Sequence, residues 1–127
     1  MYYVYLIHES PIEPPYYCKV GYTDNPVRRL AALQAGNPRA LRSIDYQRRP
    51  TKPFGFGLPT KEHAVRFERE VHVKLESMGL RHRQDFNYET NTASAREWFS
   101  GLHPDKLWAL MAEIYYHYLK AHSLSVF

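Results

Sequence analysis

The chain has 127 residues, 44% of them apolar and 15% aromatic, which is enough for one compact core and excludes both a second full core and pervasive disorder. Seventeen lysines and arginines, eleven of them arginine, face thirteen acids, so a polyanionic partner is admitted but not required by charge. The single cysteine, Cys18, excludes an internal disulfide framework and a thiolate-rich zinc site; with no long apolar run and no leader, the expectation is a cytoplasmic protein without membrane contact.

In chain order, residues 2–7 (Tyr-Tyr-Val-Tyr-Leu-Ile) have the aromatic and β-branched composition of a buried strand. Pro11, Pro14 and Pro15 then mark a loop, since proline cannot donate to a ladder, and residues 16–22 are expected to return as a second strand. Asp24-Asn25-Pro26 supplies a cap and a first-turn proline for a helix to about Ala35, before Gly36-Asn37-Pro38. A third strand is expected within residues 40–47, and a loop over 49–59 that packs Phe54 and Phe56. Thr60 caps a helix that runs to Met78 and stops at Gly79. Residues 80–93 read as irregular; residues 94–99 suit either a capping box, Ser94-x-x-Glu97, or a short strand. Pro104 starts a helix to about Ala121 with a stripe of Leu107, Leu110, Met111, Ile114 and Tyr118. The expected fold is α/β (α+β): a three-stranded, mainly antiparallel sheet flanked by helices over residues 1–100, with a C-terminal helix over 101–127 packed on it.

The run Lys19-Val20-Gly21-Tyr22-Thr23 after a first strand and loop, followed by a helix bearing Arg29, resembles the GIY-YIG nuclease superfamily. Its first motif falls on Tyr3-Val4-Tyr5, its second on Lys19-Val20-Gly21, its arginine on Arg29 and its later-helix glutamate on Glu68. More narrowly, Lys-Val-Gly-Tyr-Thr-Asp-Asn-Pro-x-Arg-Arg-Leu with a following Leu-Gln-x-Gly-Asn-Pro, together with Glu97-Trp98-Phe99, resembles the small phage and bacterial branch related to a meiotically up-regulated yeast gene and a phage DNA-binding reading frame. The resemblance spans residues 2–99. The chain departs from the parent pattern at Tyr3, where the motif has glycine, at Lys19, where it has tyrosine, and in a spacer of thirteen residues between Tyr5 and Lys19. What the resemblance implies is a metal-dependent endonuclease acting on DNA, with Tyr5, Lys19, Arg29 and Glu68 catalytic and Mg²⁺ or Mn²⁺ on Glu68. The same fold without turnover, as a nucleic-acid-binding module, is the alternative.

The residue chemistry runs parallel to that resemblance. Phosphodiester hydrolysis needs a base for water, a cation for the charge spreading over the phosphoryl oxygens, and usually a divalent metal. A phenol with a pKa of about 10 serves as a base near neutrality only beside a positive charge. Lys19 either supplies that charge or assists the phosphate, and side-chain alternation allows strand pairing to bring it to Tyr5. On the second helix, Ala64, Phe67, Val71, Leu75 and Met78 cover an arc of about 80° with Glu68 about 20° past its edge. His72, one turn on, is its neighbour and a supporting residue, as are Tyr22 and Glu97. The wheel favours Arg29 over Arg28 as the site residue, leaving Arg28 to solvent or a phosphate backbone. Arg39, Arg42, Arg48, Arg49, Arg81 and Arg83 either track a nucleic-acid backbone or are simply solvated. Seven histidines offer no metal-binding helix motif, and Tyr115-Tyr116-His117-Tyr118 reads as a packing surface or a homodimer surface.

Overall fold

The computed structural model describes residues 1–43, 53–82 and 98–126. The elements in order are β1 (Tyr2–Ser10), β2 (Cys18–Thr23), α1 (Pro26–Ala35), β3 (Ala40–Arg42), β4 (Phe56–Leu58), α2 (Lys61–Ser77), β5 (Arg81–His82), β6 (Trp98–Ser100) and α3 (Pro104–Ala121). The expected α/β architecture holds, but the sheet has six strands among the described residues instead of three. The order is β3-β1-β2-β6-β5, and β4 also pairs with β1. β3 takes His8 to Ser10 and β4 takes Tyr2 to Val4, so two short antiparallel strands share one edge of β1 while β2 holds the other.

Alternation along β1 and β2 creates two different faces. Val4, Leu6, Cys18 and Val20 face one way and join Phe56, Leu58, Ala64, Phe67, Val71 and Leu75 with the buried side of α3. Tyr5 and Ile7 face the other way, with Leu41, Phe54 and Trp98, against Leu30 and Leu33 of α1. The sheet is thus sandwiched by α1 on one side and α2 with α3 on the other. Burial of Phe67, Val71 and Leu75 stabilises α2 by about 1.5–3 kcal/mol for each side chain.

The helix ends follow their chemistry. Asn25 and Thr60 accept from the backbone N–H of Arg28 and His63, satisfying first-turn donors. α2 closes as a Schellman motif: Gly79 takes φ +77°, its N–H donates to the Glu76 carbonyl, and Leu80 N–H donates to that of Leu75. The cap leaves Met78 46% exposed, outside the buried stripe in which the helical wheel put it. Val27 is likewise exposed, and the buried first-turn residue of α1 is Pro26.

The second strand begins at Cys18 instead of residue 16, because Tyr16 sits in a turn at φ +60° with its N–H on the Glu13 carbonyl. Residues 56–58, expected as loop, are a strand because the edge of β1 accepts them. Gly55 admits them there: at φ +101° a Cβ would lie 2.6 Å from the Val4 carbonyl oxygen. Tyr115 of α3 fixes the same strand by donating its hydroxyl to the Gly57 carbonyl at 2.8 Å. Tyr115 and Tyr118 are buried while Tyr116 and His117 are exposed, so half of that run packs inward. Of residues 94–99, those from Trp98 onward are strand, while Ser94 and Glu97 lie outside the described residues. No helix among the described residues is long and apolar enough to cross a membrane.

Candidate functional site

Two side-chain couples adjoin β2. The first joins β1 to α1: Arg29 Nε–H donates to the Tyr5 hydroxyl oxygen at 3.5 Å, a long contact between residues 24 apart in sequence. Tyr5 is 1% exposed, standing on the α1 face with Ile7, Leu41, Phe54 and Trp98. α1 can deliver Arg29 there because its apolar positions, Leu30 and Leu33, pack on that same cluster.

The second couple lies on α2. Glu68 Oε1 is 3.5 Å from His72 Nε2, one helical turn on, and both side chains are only about one-seventh exposed. His72 Nε2–H donates to the Val20 carbonyl at 2.9 Å, and its ring meets Phe99 edge-on with centroids 4.9 Å apart. Among the described residues β6 pairs with β2 at Cys18 and Lys19, and the carbonyl of Val20, next along β2, accepts from the imidazole.

β2 links the couples. Tyr5 is the register partner of Gly21, whose missing side chain leaves the strand bare opposite the phenol, and Gly21 follows the Val20 that holds His72. Lys19 faces Ile7, not Tyr5, so it is a diagonal neighbour of the phenol on the same face. Its side chain is fully buried, with the ammonium 5.7 Å from the centre of the Trp98 ring. Trp98 is therefore both part of the core and a cation's platform. The sequence signal for that role was faint, since a tryptophan in a short apolar run looks like any packed indole.

The other candidates scatter. Tyr22 pairs with Val4 and packs on the α2 face, away from Tyr5. Arg28 is exposed and 3.9 Å from Asp24; Arg39 is 3.5 Å from the buried Glu9 carboxylate; Arg42 is exposed on β3. Arg81 contributes backbone to β5, and Arg48, Arg49, Arg83 and Glu97 lie outside the described residues.

No cluster of three or more His, Cys, Asp and Glu able to hold a metal occurs among the described residues. Glu68 is a hard oxygen donor, whereas His72 directs its Nε2–H at a backbone carbonyl. That donor set suits a Mg²⁺-like ion that takes one carboxylate and fills its shell with water and substrate oxygens, and it does not suit a protein-caged zinc.

The family model of the T5orf172 domain matches residues 2–114. Comparison with curated proteins and with solved structures gives no match.

Proposed function

We propose that this chain, which belongs to the T5orf172 domain family, is a metal-dependent endonuclease of the GIY-YIG type that hydrolyses DNA phosphodiester bonds. The observation that carries this reading is the contact between Tyr5 and Arg29. A guanidinium against a phenol oxygen favours the phenolate, which then takes the proton of a water attacking phosphorus. As the new P–O bond forms and the ester P–O bond breaks, the leaving oxygen departs as an alkoxide that takes a proton from solvent water, and Arg29 offers charge-assisted donors to the phosphoryl oxygens. Lys19, on the same face, adds positive potential to the phenol or the phosphate. Glu68 would hold Mg²⁺ or Mn²⁺, which supplies charge neutralisation at the phosphate. His72 fixes the Glu68 carboxylate against β2.

The test is incubation with supercoiled plasmid and Mg²⁺ or Mn²⁺, comparing wild type with Glu68→Gln and Tyr5→Phe. Nicking by wild type and a loss of about a hundredfold or more in either variant, with unchanged circular dichroism, is the expected result. Glu68→Gln that nicks as fast as wild type removes the carboxylate from the mechanism.

A second reading has its own observation. Tyr5 is 1% exposed and Lys19 is fully buried, which suits a fold that binds nucleic acid without turning it over. Salt-sensitive retardation of DNA without nicks, under both metals, is its signature.

A further inference from the structure

On the side of the molecule away from Tyr5 and Arg29, a groove between α2 and α3 encloses about 650 Å³. Its apolar surface comes from Val73, which is 58% exposed, from Ile114 and from the Tyr118 ring. The Tyr118 hydroxyl is already engaged by His63 Nδ1 at 2.7 Å, so that residue brings no unmet polar demand. Arg66, Arg69 and Lys74 line the α2 wall with a single acid, Glu70. No ion pair among the described residues engages those three cations. The same ridge borders a second hollow of about 470 Å³, where Arg66 and Arg69 meet Lys61, Glu62 and Val65.

We infer that this groove docks an acidic amphipathic helix of a partner protein, its apolar stripe on Val73 and Ile114 and its carboxylates against Arg66, Arg69 and Lys74. An interhelical groove with an apolar floor and charged walls is the shape that helix-in-groove recognition uses. Charge selects the occupant. A second copy of the chain docked about a two-fold axis would set these cations against their own images, with only Glu70 to offset them. A nucleic-acid backbone would match the cations but lay phosphates on Val73 and Ile114, leaving that apolar surface unburied. The inference does not depend on the nuclease reading, since the groove and the Tyr5 face lie on opposite sides of the sheet.

The test uses a fluorescein-labelled synthetic peptide of about four helical turns, with leucines at helical spacing and glutamates elsewhere, followed by fluorescence anisotropy at physiological salt. A peptide of identical composition with the stripe scrambled is the control. Saturable binding is expected, at least about fivefold tighter than for the scrambled peptide and weakened about tenfold in Arg66→Glu/Arg69→Glu and about threefold or more in Val73→Ser. These positions are on the surface, and thermal melting confirms that the variants stay folded. Absence of saturable binding, equal affinity for the scrambled peptide, or variants that bind like wild type overturns the inference. Displacement of the peptide by duplex DNA through the same arginines assigns the groove to nucleic acid and also overturns it. Self-association that disappears in Val73→Ser assigns it to a second copy, with the same consequence.

Discussion

Lys19 and Trp98 are register partners between β2 and β6, and the Lys19 ammonium stands 5.7 Å from the centre of the indole ring. A desolvated cation over an indole is worth about 2 kcal/mol, which holds this fully buried lysine in place beside its diagonal neighbour Tyr5. Lys19→Gln removes that charge while keeping a long polar side chain. Plasmid nicking at neutral pH is expected to fall about tenfold or more, with part of the loss regained as pH rises and the phenol ionises unaided. Initial rates across pH check this; a variant with the wild-type profile places Lys19 outside the chemistry.

Gly55 is the residue that lets β4 reach β1. Gly55→Ala would put a Cβ 2.6 Å from the Val4 carbonyl oxygen on a backbone at φ +101°. Positive φ alone costs a non-glycine residue about 1–2 kcal/mol, and the clash adds to it. Urea denaturation is expected to show a loss of more than about 2 kcal/mol at unchanged m-value.

His8 makes the fold acid-sensitive. It is buried, its Nε2 has no hydrogen-bond partner among the described residues, and burial lowers its pKa below the ordinary 6.5. The Glu9 carbonyl that meets its Nδ1 and the Asp105 carboxylate oppose the lowering; His103 and Arg42 add to it. The folded state therefore prefers the neutral ring. Below about pH 6.5 the unfolded chain takes up a proton that the folded one does not, so stability present above that pH is lost as pH falls toward the lowered folded value. Urea unfolding at about pH 7.5 and 5.5 is expected to show a decline of up to about 1.4 kcal/mol per pH unit, flattened in His8→Phe. An equal slope in that variant would assign the acid sensitivity to other groups.

Cys18 is chemically quiet in the native protein. Its thiol is 1% exposed, lies 3.9 Å from the Leu102 carbonyl, and burial pushes its pKa up to about 12, with the Glu9 charge adding to the rise. Reaction with a disulfide reagent at about pH 8 is expected to proceed at the rate of unfolding and to be rapid in urea. Prompt native-state labelling would contradict this.

The parts of the fold legible in the sequence are those set by local chemistry. Asn25-Pro26, Thr60, Gly79 and Pro104 each act on their own turn of backbone, and the observed helices begin and end beside them. β4 and β5 have three and two residues, too few to show a period, and their state depends on distant strands that offer them an edge. The site divides the same way. Helical spacing separates Arg29 from Arg28, and it pairs Glu68 with His72. The β1–β2 register is set by the backbone of the proline-rich loop, which alternation alone does not reveal. Alternation put Lys19 and Tyr5 on one face, and the register then moved them two positions apart.

The bond from His72 to the Val20 carbonyl acts as a detent between helix and sheet. Sliding α2 along β2 by a single residue would rotate the imidazole off its acceptor and carry the neighbouring carboxylate away with it. The acid's location is thereby tied to the mechanical seating of a whole layer, and loosening that seat anywhere along α2 should blunt the acid's role before the protein unfolds.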